Sequence, residues 1–196
     1  MSEGFIYVTP SIKTERTILR RYQDGDGKDV FELLSANKER FMDSFPRSIA
    51  AVTDEHKGEF FVKNKIAEWY MQTNFFFYIS ENDSGQYIGQ ASIKNIDWEI
   101  PKAEMAYYLD KNYEGKGFAS EVVKRLITLA FEQLKIKKLF LRIHKNNLKS
   151  CKLAENCGFI NEGVHRKEFL THDKKLIDIL YFGLTDDDYE KVKGKK

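Results

Sequence analysis

An eight-residue segment with two glycines, at 112–119, constrains this chain more than any other part of the sequence. It follows an alternating run, 103–109, that predicts a strand, and it leads into 118–134, where apolar residues recur at helical spacing. Glycines at a strand-to-helix turn let the backbone approach a bulky anion, and N–H groups at the start of a helix bind phosphate. The segment therefore predicts a site for a cofactor that carries phosphate.

The remaining patterns predict a mixture of helices and strands along the whole chain. The predicted strands are 17–22, 75–81, 87–96, 103–109, 138–144, 160–169 and 175–184. The predicted helices are 28–36, 53–72, 118–134 and 147–157, with a short helix and a loop between 37 and 51. Because no repeat or linker interrupts this order, we expect one α/β (α+β) domain over 1–196, with a core at 16–185 and short flexible termini.

Composition and charge argue against several functional classes. The chain has 32 Lys and Arg residues against 30 Asp and Glu residues, and a net charge of +2 does not favour nucleic acid. The sequence has no long apolar run and no signal-like N-terminus, so we expect no membrane segment. Cys151 and Cys157 share one predicted helix, where they cannot pair and have no metal-ligand spacing. Two free thiols fit a cytoplasmic protein without a metal site.

Three motifs, in matching order and spacing, carry a resemblance to a known family. They are Glu-Met-Ala-Tyr-Tyr-Leu at 104–109, Asn-x-x-Gly-x-Gly at 112–117, and Asn-Leu-Lys-Ser at 147–150 followed by Glu-Asn-Cys-Gly-Phe at 155–159 and Glu-Gly at 162–163. Together they resemble the Gcn5-related N-acetyltransferase (GNAT) superfamily, and within it the Rim-type branch of ribosomal-protein N-acetyltransferases. The likeness is looser elsewhere and runs over residues 16–184.

The resemblance implies a mixed, mostly antiparallel sheet of about seven strands, flanked by helices, with one parallel strand pair that splays apart. It also implies direct transfer of an acetyl group from acetyl-CoA to a primary amine in a ternary complex. The diphosphate would rest on N–H groups at 115–119, and the pantetheine arm would add between strands 103–109 and 138–144. The residues implied in cofactor binding are Tyr108, Leu109, Asn112, Gly115, Lys116, Gly117, Phe118, Ala119 and Asn147.

Three of these side chains also have ordinary structural interpretations. Asn112 stands where the family has Arg or Gln, and it could simply form the turn. Lys116 could add charge near the phosphates or could be a solvated surface lysine. Asn147 matches a family residue that contacts the pantetheine arm, and it could also be the N-cap of the next helix.

Two residues are candidates for acid–base chemistry. Ser150 matches the general-acid position of the branch and could donate a hydrogen bond to the departing thiolate, although it could also be an ordinary first-turn serine. Many family members carry a tyrosine one turn later, where this chain has Ala154. Glu104 could accept the proton of the amine or bind the ammonium, and an ion pair on the sheet face is an equal alternative. His144 is the one histidine predicted to lie near this site.

The acceptor is the least determined part of the prediction. A protein N-terminal amine is our first expectation, and a polyamine or an aminoglycoside-like amine is the second. Acidic groups along the groove would favour the polycation, whereas a narrow hydrophobic slot would favour a peptide end. Phe41, Phe45, Pro46, Trp98 and Tyr108 could form its walls, although such aromatic residues are more often core.

Two rival interpretations come from other functional classes. Ala154 and Asn112 depart from the family pattern, so a non-catalytic acyl-CoA-binding module stays open. A Rossmann nucleotide site would need an acidic residue about twenty positions after the turn, but 135–138 is basic. We expect a monomer or a homodimer, because strands near the C-terminus could pair with a second copy.

Overall fold

One eight-stranded sheet forms the centre of the computed structural model, which describes residues 6–194. The strands are β1 (Ser11–Lys13), β2 (Thr17–Arg21), β3 (Phe75–Glu81), β4 (Tyr87–Asp97), β5 (Lys102–Leu109), β6 (Lys138–His144), β7 (Ile160–Leu170) and β8 (Leu176–Thr185). Their order across the sheet is β1-β2-β3-β4-β5-β6-β8-β7. The predicted mixed α/β architecture is confirmed.

Seven α-helices flank the sheet within the described residues. They are α1 (Gly27–Ala36), α2 (Lys38–Phe41), α3 (Pro46–Ala51), α4 (Glu55–Tyr70), α5 (Phe118–Thr128), α6 (Leu148–Asn156) and α7 (Asp186–Lys193). A 3-10 turn, Lys111–Tyr113, precedes α5, and a π-helical turn, Leu129–Gln133, continues it. The predicted helix 118–134 is therefore present, but its last turn is wider than an α-helix.

Within the described residues only β5 and β6 run parallel, and they pair over a short stretch. Their register extends from Lys102 opposite Lys138 to Glu104 opposite Phe140. Every other neighbouring pair in the sheet is antiparallel. Beyond Glu104 and Phe140 the two strands carry on without pairing, so they form the predicted splayed pair.

The two faces of the sheet bury two separate hydrophobic clusters. The larger cluster includes the apolar stripe of α5, for which the residues are Val122, Val123, Leu126 and Ile127. The smaller cluster lies against α1 and α4 and includes Val30, Leu34, Val62 and Tyr108. Since side chains alternate along β5, Met105 and Leu109 belong to the larger cluster while Tyr108 belongs to the smaller one. The strand that carries the motif is thus covered on both faces.

Strand β1 and helix α7 were not predicted from the sequence. The additional strand raises the number of strands from the seven predicted to eight. Strand β1 is only three residues long and is defined by its pairing with β2, where Ile12 lies opposite Leu19. Helix α7 has three acidic residues in its first turn, and its Tyr189 stacks on Phe131 at 5.0 Å. Regular structure therefore reaches beyond 16–185 at both ends. Residues 1–5 and 195–196, where the flexible termini were also expected, lie outside the described residues.

Candidate active site

The cleft between β5 and β6 opens where their pairing ends. The side of β5 that faces away from the cleft is hydrogen-bonded to β4. The Asp110 N–H donates to the Ile88 carbonyl at 2.8 Å, and the Tyr108 carbonyl also points at β4, toward Gly89. Because successive residues of a strand direct their backbone groups to opposite sides, the main chain of Tyr107 and Leu109 faces the cleft. Tyr108, which was predicted to bind the cofactor, faces β4 instead, and its side chain is buried.

The glycine turn at the end of β5 has the geometry of an anion site. Gly115 and Gly117 have φ angles of 70° and 85°, a left-handed conformation that other residues adopt at a cost. Helix α5 begins at the next residue, and its N-cap is Gly117, which has no side chain to accept hydrogen bonds from the first N–H groups. A Cβ added at Gly115 would meet nothing within 4 Å. The turn thus offers backbone donors with open space above them, which fits a phosphate group.

An arginine that lies 100 positions before Lys116 in the sequence stabilises the conformation of the turn. Arg16 donates to the Lys116 carbonyl at 2.8 Å and to the Glu121 carboxylate at 2.8 Å, and its guanidinium lies 4.4 Å above the Phe118 ring. Burial works against ionisation of Glu121, but hydrogen bonds from Thr14 and Arg16 keep its pKa below the usual value. We call Thr14, Arg16 and Glu121 the arginine brace. Sequence reasoning missed it because the partners are about a hundred positions apart.

The opposite side of the turn contacts helices α1, α2 and α6. Asn37, at the end of α1, donates to the Asp110 carboxylate at 2.7 Å and accepts from the Lys111 N–H at 3.0 Å. Glu114 pairs with Arg40 and, at 2.8 Å, with Lys149 on α6. Of the residues predicted to bind the cofactor here, Asn112, Gly115, Lys116 and Gly117 are exposed, Ala119 is half-buried, and Phe118 is buried. Phe118 can therefore contribute only its main chain.

Helix α6 forms the far wall of the cleft. The Asn147 side chain is the N-cap of α6 and accepts from the Ser150 N–H at 3.1 Å. Asn147, Ser150 and Tyr107 line one cavity, so the cleft brings the predicted serine opposite the free edge of β5. His144 also lines this cavity, and its Nδ1 accepts from the Asn146 N–H at 3.0 Å.

Glu104 lies in the same cavity as a buried, fully paired carboxylate. Lys94 approaches it at 3.3 Å and Arg142 at 3.1 Å, and the Asn95 amide donates to it at 2.6 Å. Two cations therefore surround a single carboxylate, and Glu104 is only 4% exposed. The sequence analysis gave such an ion pair as the alternative to a catalytic role for Glu104. The role of Glu104 as a base stays a prediction.

The acceptor end of the cavity is assembled from distant segments. Asp43, Ser44 and Phe45 come from the connection between α2 and α3, and Phe169 comes from β7. The His172 ring, at the tip of the β7–β8 hairpin, lies 2.9 Å from the Asp43 carboxylate, so the hairpin contacts the loop across the cavity. Charged groups of both signs line the space, because Asp43 and Glu104 are matched by Lys94 and Arg142.

A family model described as Acetyltransferase (GNAT) domain matches residues 16–160 of this sequence. The chain belongs to the GNAT acetyltransferase family. The matched residues run from Arg16 of the arginine brace through the glycine turn to α6 and the start of β7. They include every predicted site residue, whereas Phe169 and Ile179 of the cavity lie beyond them.

Three N-acetyltransferase relatives illustrate the matches. The chain is 34% identical over 113 residues to Uncharacterized N-acetyltransferase p20 of Bacillus licheniformis, covering 58% of this chain and 63% of that protein. It is 28% identical over 97 residues to Spermidine N(1)-acetyltransferase of Vibrio cholerae, covering 50% and 56%. It is 25% identical over 167 residues to Ribosomal-protein-serine acetyltransferase of Escherichia coli, covering 83% and 90%. The chain thus spans less than two thirds of the length of the first of these relatives.

Solved GNAT structures share the fold. The crystal structure of Ribosomal-protein-S5-alanine Acetyltransferase from Vibrio fischeri superposes with a TM-score of 0.83 at 20% identity, covering 91% of this chain and 98% of that one. Within residues 6–194, no helix is long and apolar enough to cross a bilayer, and no cluster of metal-binding side chains occurs.

Among the aromatic side chains predicted at the acceptor end, only Phe45 lines the GNAT cavity. Phe41 and Tyr108 pack behind it, with ring centroids 5.0 Å apart, and are buried. Trp98 lies elsewhere, at the β4–β5 connection, where its indole N–H donates to the Gln72 carbonyl at 3.2 Å. Pro46 begins helix α3. The aromatic wall is therefore narrower than the sequence suggested, because most of these rings are core.

Proposed function

We propose that this protein is an acetyl-CoA-dependent N-acetyltransferase that acts on a primary amine, and that a protein N-terminal amine is its acceptor. One observation carries the proposal. The pairing of β5 and β6 stops after Glu104 and Phe140, which leaves an edge of β5 free between the glycine turn and Ser150. An edge of this kind binds an extended, amide-containing chain, and the turn binds phosphate.

Each part of the cleft then has a role toward acetyl-CoA, which supplies the activated acetyl group. The N–H groups of 115–119 hold the diphosphate, and the Tyr107 and Leu109 main chain bonds to the amides of the pantetheine arm. Asn147 orients the start of α6, so that Ser150 can donate a hydrogen bond to the departing sulfur. Much of the rate comes from holding the amine and the thioester in register.

The acceptor end favours a peptide terminus over a polycation. Its acidic and basic side chains balance, so it lacks the acidic track that would attract several ammonium groups. Arg142, which lines the cavity, also has a buried Nε–H with no acceptor among residues 6–194. A peptide can offer it a carbonyl oxygen, whereas a protonated polyamine has no acceptor atom to offer.

A small polyamine is the second candidate for the acceptor. It is supported by the relative named for spermidine acetylation and by Asp43, an exposed carboxylate in the cavity that could hold one ammonium. This candidate keeps the same cofactor site and the same chemistry. It differs only in which molecule enters between Phe45 and Phe169.

The test is acetyl transfer by the full chain with a panel of amines, measured as release of free CoA thiol. We expect turnover with peptides that carry a free N-terminal amine, and none when that amine is blocked. Turnover of spermidine without turnover of any peptide would overturn the acceptor and leave the transferase in place. Binding of CoA in calorimetry, with no turnover of any amine and no effect of Ser150→Ala, would identify a non-catalytic acyl-CoA-binding module instead.

A further inference from the structure

The Tyr107 hydroxyl is a polar group that the fold buries without a partner. Its oxygen is shielded from solvent and makes no hydrogen bond with any of the residues 6–194. An unpaired buried hydroxyl destabilises a protein relative to phenylalanine at the same place, so it calls for a physical explanation. Tyr107 lies in the candidate active site, where such groups often have a role in the chemistry.

Tyr107 points from β5 toward the helix that carries Ser150. It lies on the face of β5 opposite Glu104, and it lines the cleft together with Ser150 and Asn147. Burial raises the pKa of Tyr107 to about 12, and the Ser150 side chain beside it opposes part of that increase. The phenol therefore stays protonated at neutral pH, and it lines the same cavity as the serine.

Ser150 can donate to the departing sulfur only when its hydroxyl proton points toward that sulfur. A serine hydroxyl can rotate, and its proton can point to any nearby acceptor, including a carbonyl of its own helix. One turn further along α6, the tyrosine of many family members is replaced by Ala154, which is fully buried and has no hydroxyl. Helix α6 itself therefore supplies no second hydroxyl to fix the direction of the serine proton.

We propose that Tyr107 is a positioning residue that, once CoA occupies the cleft, donates a hydrogen bond to the Ser150 oxygen and thereby directs the serine proton toward the sulfur of CoA. The phenol keeps its proton throughout, and the serine shares its own proton with the sulfur. Donation from the phenol also makes the serine a better donor, because linked hydrogen bonds polarise one another. The proposal rests on the proposed function, since it assigns a role toward the same co-substrate.

The test combines Tyr107→Phe, Ser150→Ala and the double variant, with Tyr189→Phe as the matched control. The Tyr189 hydroxyl donates to Glu132 at 2.8 Å, on the C-terminal helix and outside the cleft. For Tyr107→Phe we expect a roughly tenfold lower kcat with little change in KM, because one hydrogen bond is lost from the transition state. We expect the same kcat for the double variant as for Ser150→Ala, since Tyr107 acts through the serine.

Calorimetry supplies a readout that does not depend on turnover. CoA and desulpho-CoA share the diphosphate and the pantetheine amides but differ in the sulfur. Tyr107→Phe should reduce the affinity for CoA by about fivefold and leave desulpho-CoA unchanged, because only the sulfur contact weakens. Thermal unfolding should show no loss of stability in Tyr107→Phe, since its hydroxyl has no partner in the fold.

Two results would overturn the proposal while leaving the transferase in place. One is a wild-type kcat in Tyr107→Phe. The other is an equal loss of affinity for CoA and desulpho-CoA, which would assign the phenol to the arm and not to the sulfur. Failure of the proposed function looks different, because the wild-type chain would then bind no CoA or transfer no acetyl group to any amine.

Discussion

The two ends of the cleft are built by different means. The cofactor end, where we propose that CoA binds, presents backbone N–H groups of one continuous segment, 110–119, which the arginine brace supports on one side and Asn37 on the other. At the acceptor end, the contacts come from side chains on five separate segments, held to one another by ion pairs. Under the proposed function, the ligand that many proteins share would be held by main chain, and the acceptor that differs between them would be held by side chains.

The largest effect should come from filling the space above the turn. Gly115→Val places a β-branched residue at a φ of 70° and puts its side chain where the diphosphate would bind. We expect CoA affinity in calorimetry to fall by more than about a hundredfold, from backbone strain and steric exclusion together. The matched control is Gly25→Val, which also has a positive φ, 96°, and open space around its Cβ, but lies in the turn before α1.

Gly25→Val should lose some stability and keep its affinity for CoA. If both glycine variants bound CoA as the wild type does, the turn would not be the cofactor site. If both lost binding together, the cause would be general unfolding, which thermal denaturation would reveal. Either outcome would remove the contrast between the two ends of the cleft.

At the acceptor end, the sharpest test is Glu104→Gln. Removing this charge leaves Lys94 and Arg142 without their shared carboxylate, and we expect a loss of about 2 kcal/mol in the free energy of unfolding. The cost falls below that of a fully buried pair because Lys94 and Arg142 are themselves 27% and 28% exposed. CoA affinity should be unchanged, since the cofactor end does not use this side chain.

The same variant separates the two roles of Glu104. An ion-pair role predicts lower stability and a higher KM for the acceptor amine, with kcat kept within about threefold. A base role predicts a fall in kcat of at least about a hundredfold at unchanged KM, with loss of the acidic limb of the pH–rate profile. Steady-state kinetics across pH, together with urea denaturation, distinguish these results.

The sequence specifies the glycine turn more completely than the opposite end of the cleft for a physical reason. A glycine turn between a strand and a helix is local, so its spacing is visible in eight consecutive residues. Which backbone groups of β5 face the cleft, by contrast, depends on which ones β4 already occupies, as at Tyr108, and the sequence alone does not show this pairing. The balance of charges around Glu104 depends on Lys94 and Arg142, two residues that meet it only in the folded sheet.

The two short elements near the ends of the chain, β1 and α7, differ in how much of their structure is visible in the local sequence. Strand β1 has too few residues to show a pattern and exists through its partner β2. Helix α7 did have a local signal: Thr185 and Asp188 form a capping pair, in which the Thr185 hydroxyl donates to the Asp188 carboxylate at 2.6 Å. That spacing, followed by the basic residues of the last turn, could have predicted the helix from sequence.

A smaller effect should come from removing the arginine brace. Arg16→Ala deletes the contacts to Lys116 and Glu121, and we expect CoA affinity to fall by about tenfold as the turn becomes less ordered. Arg20→Ala is the matched control, because Arg20 also pairs with a carboxylate, Asp26 at 2.7 Å, and lies over a tyrosine ring, but away from the cleft. Both variants should lose comparable stability, and only Arg16→Ala should lose CoA affinity.

The smallest effect should come from the contact between the two acceptor segments. His172 and Asp43 are both largely exposed, so their interaction contributes little to stability. We expect His172→Ala to raise the KM for the acceptor by about twofold, because the hairpin then holds the loop less firmly, with kcat and CoA affinity unchanged. His56→Ala, on α4 and outside the cavity, is the control and should change neither constant. An equal loss of CoA affinity in His172→Ala would show that the two ends are coupled, and the division of the cleft into a main-chain end and a side-chain end would then fail.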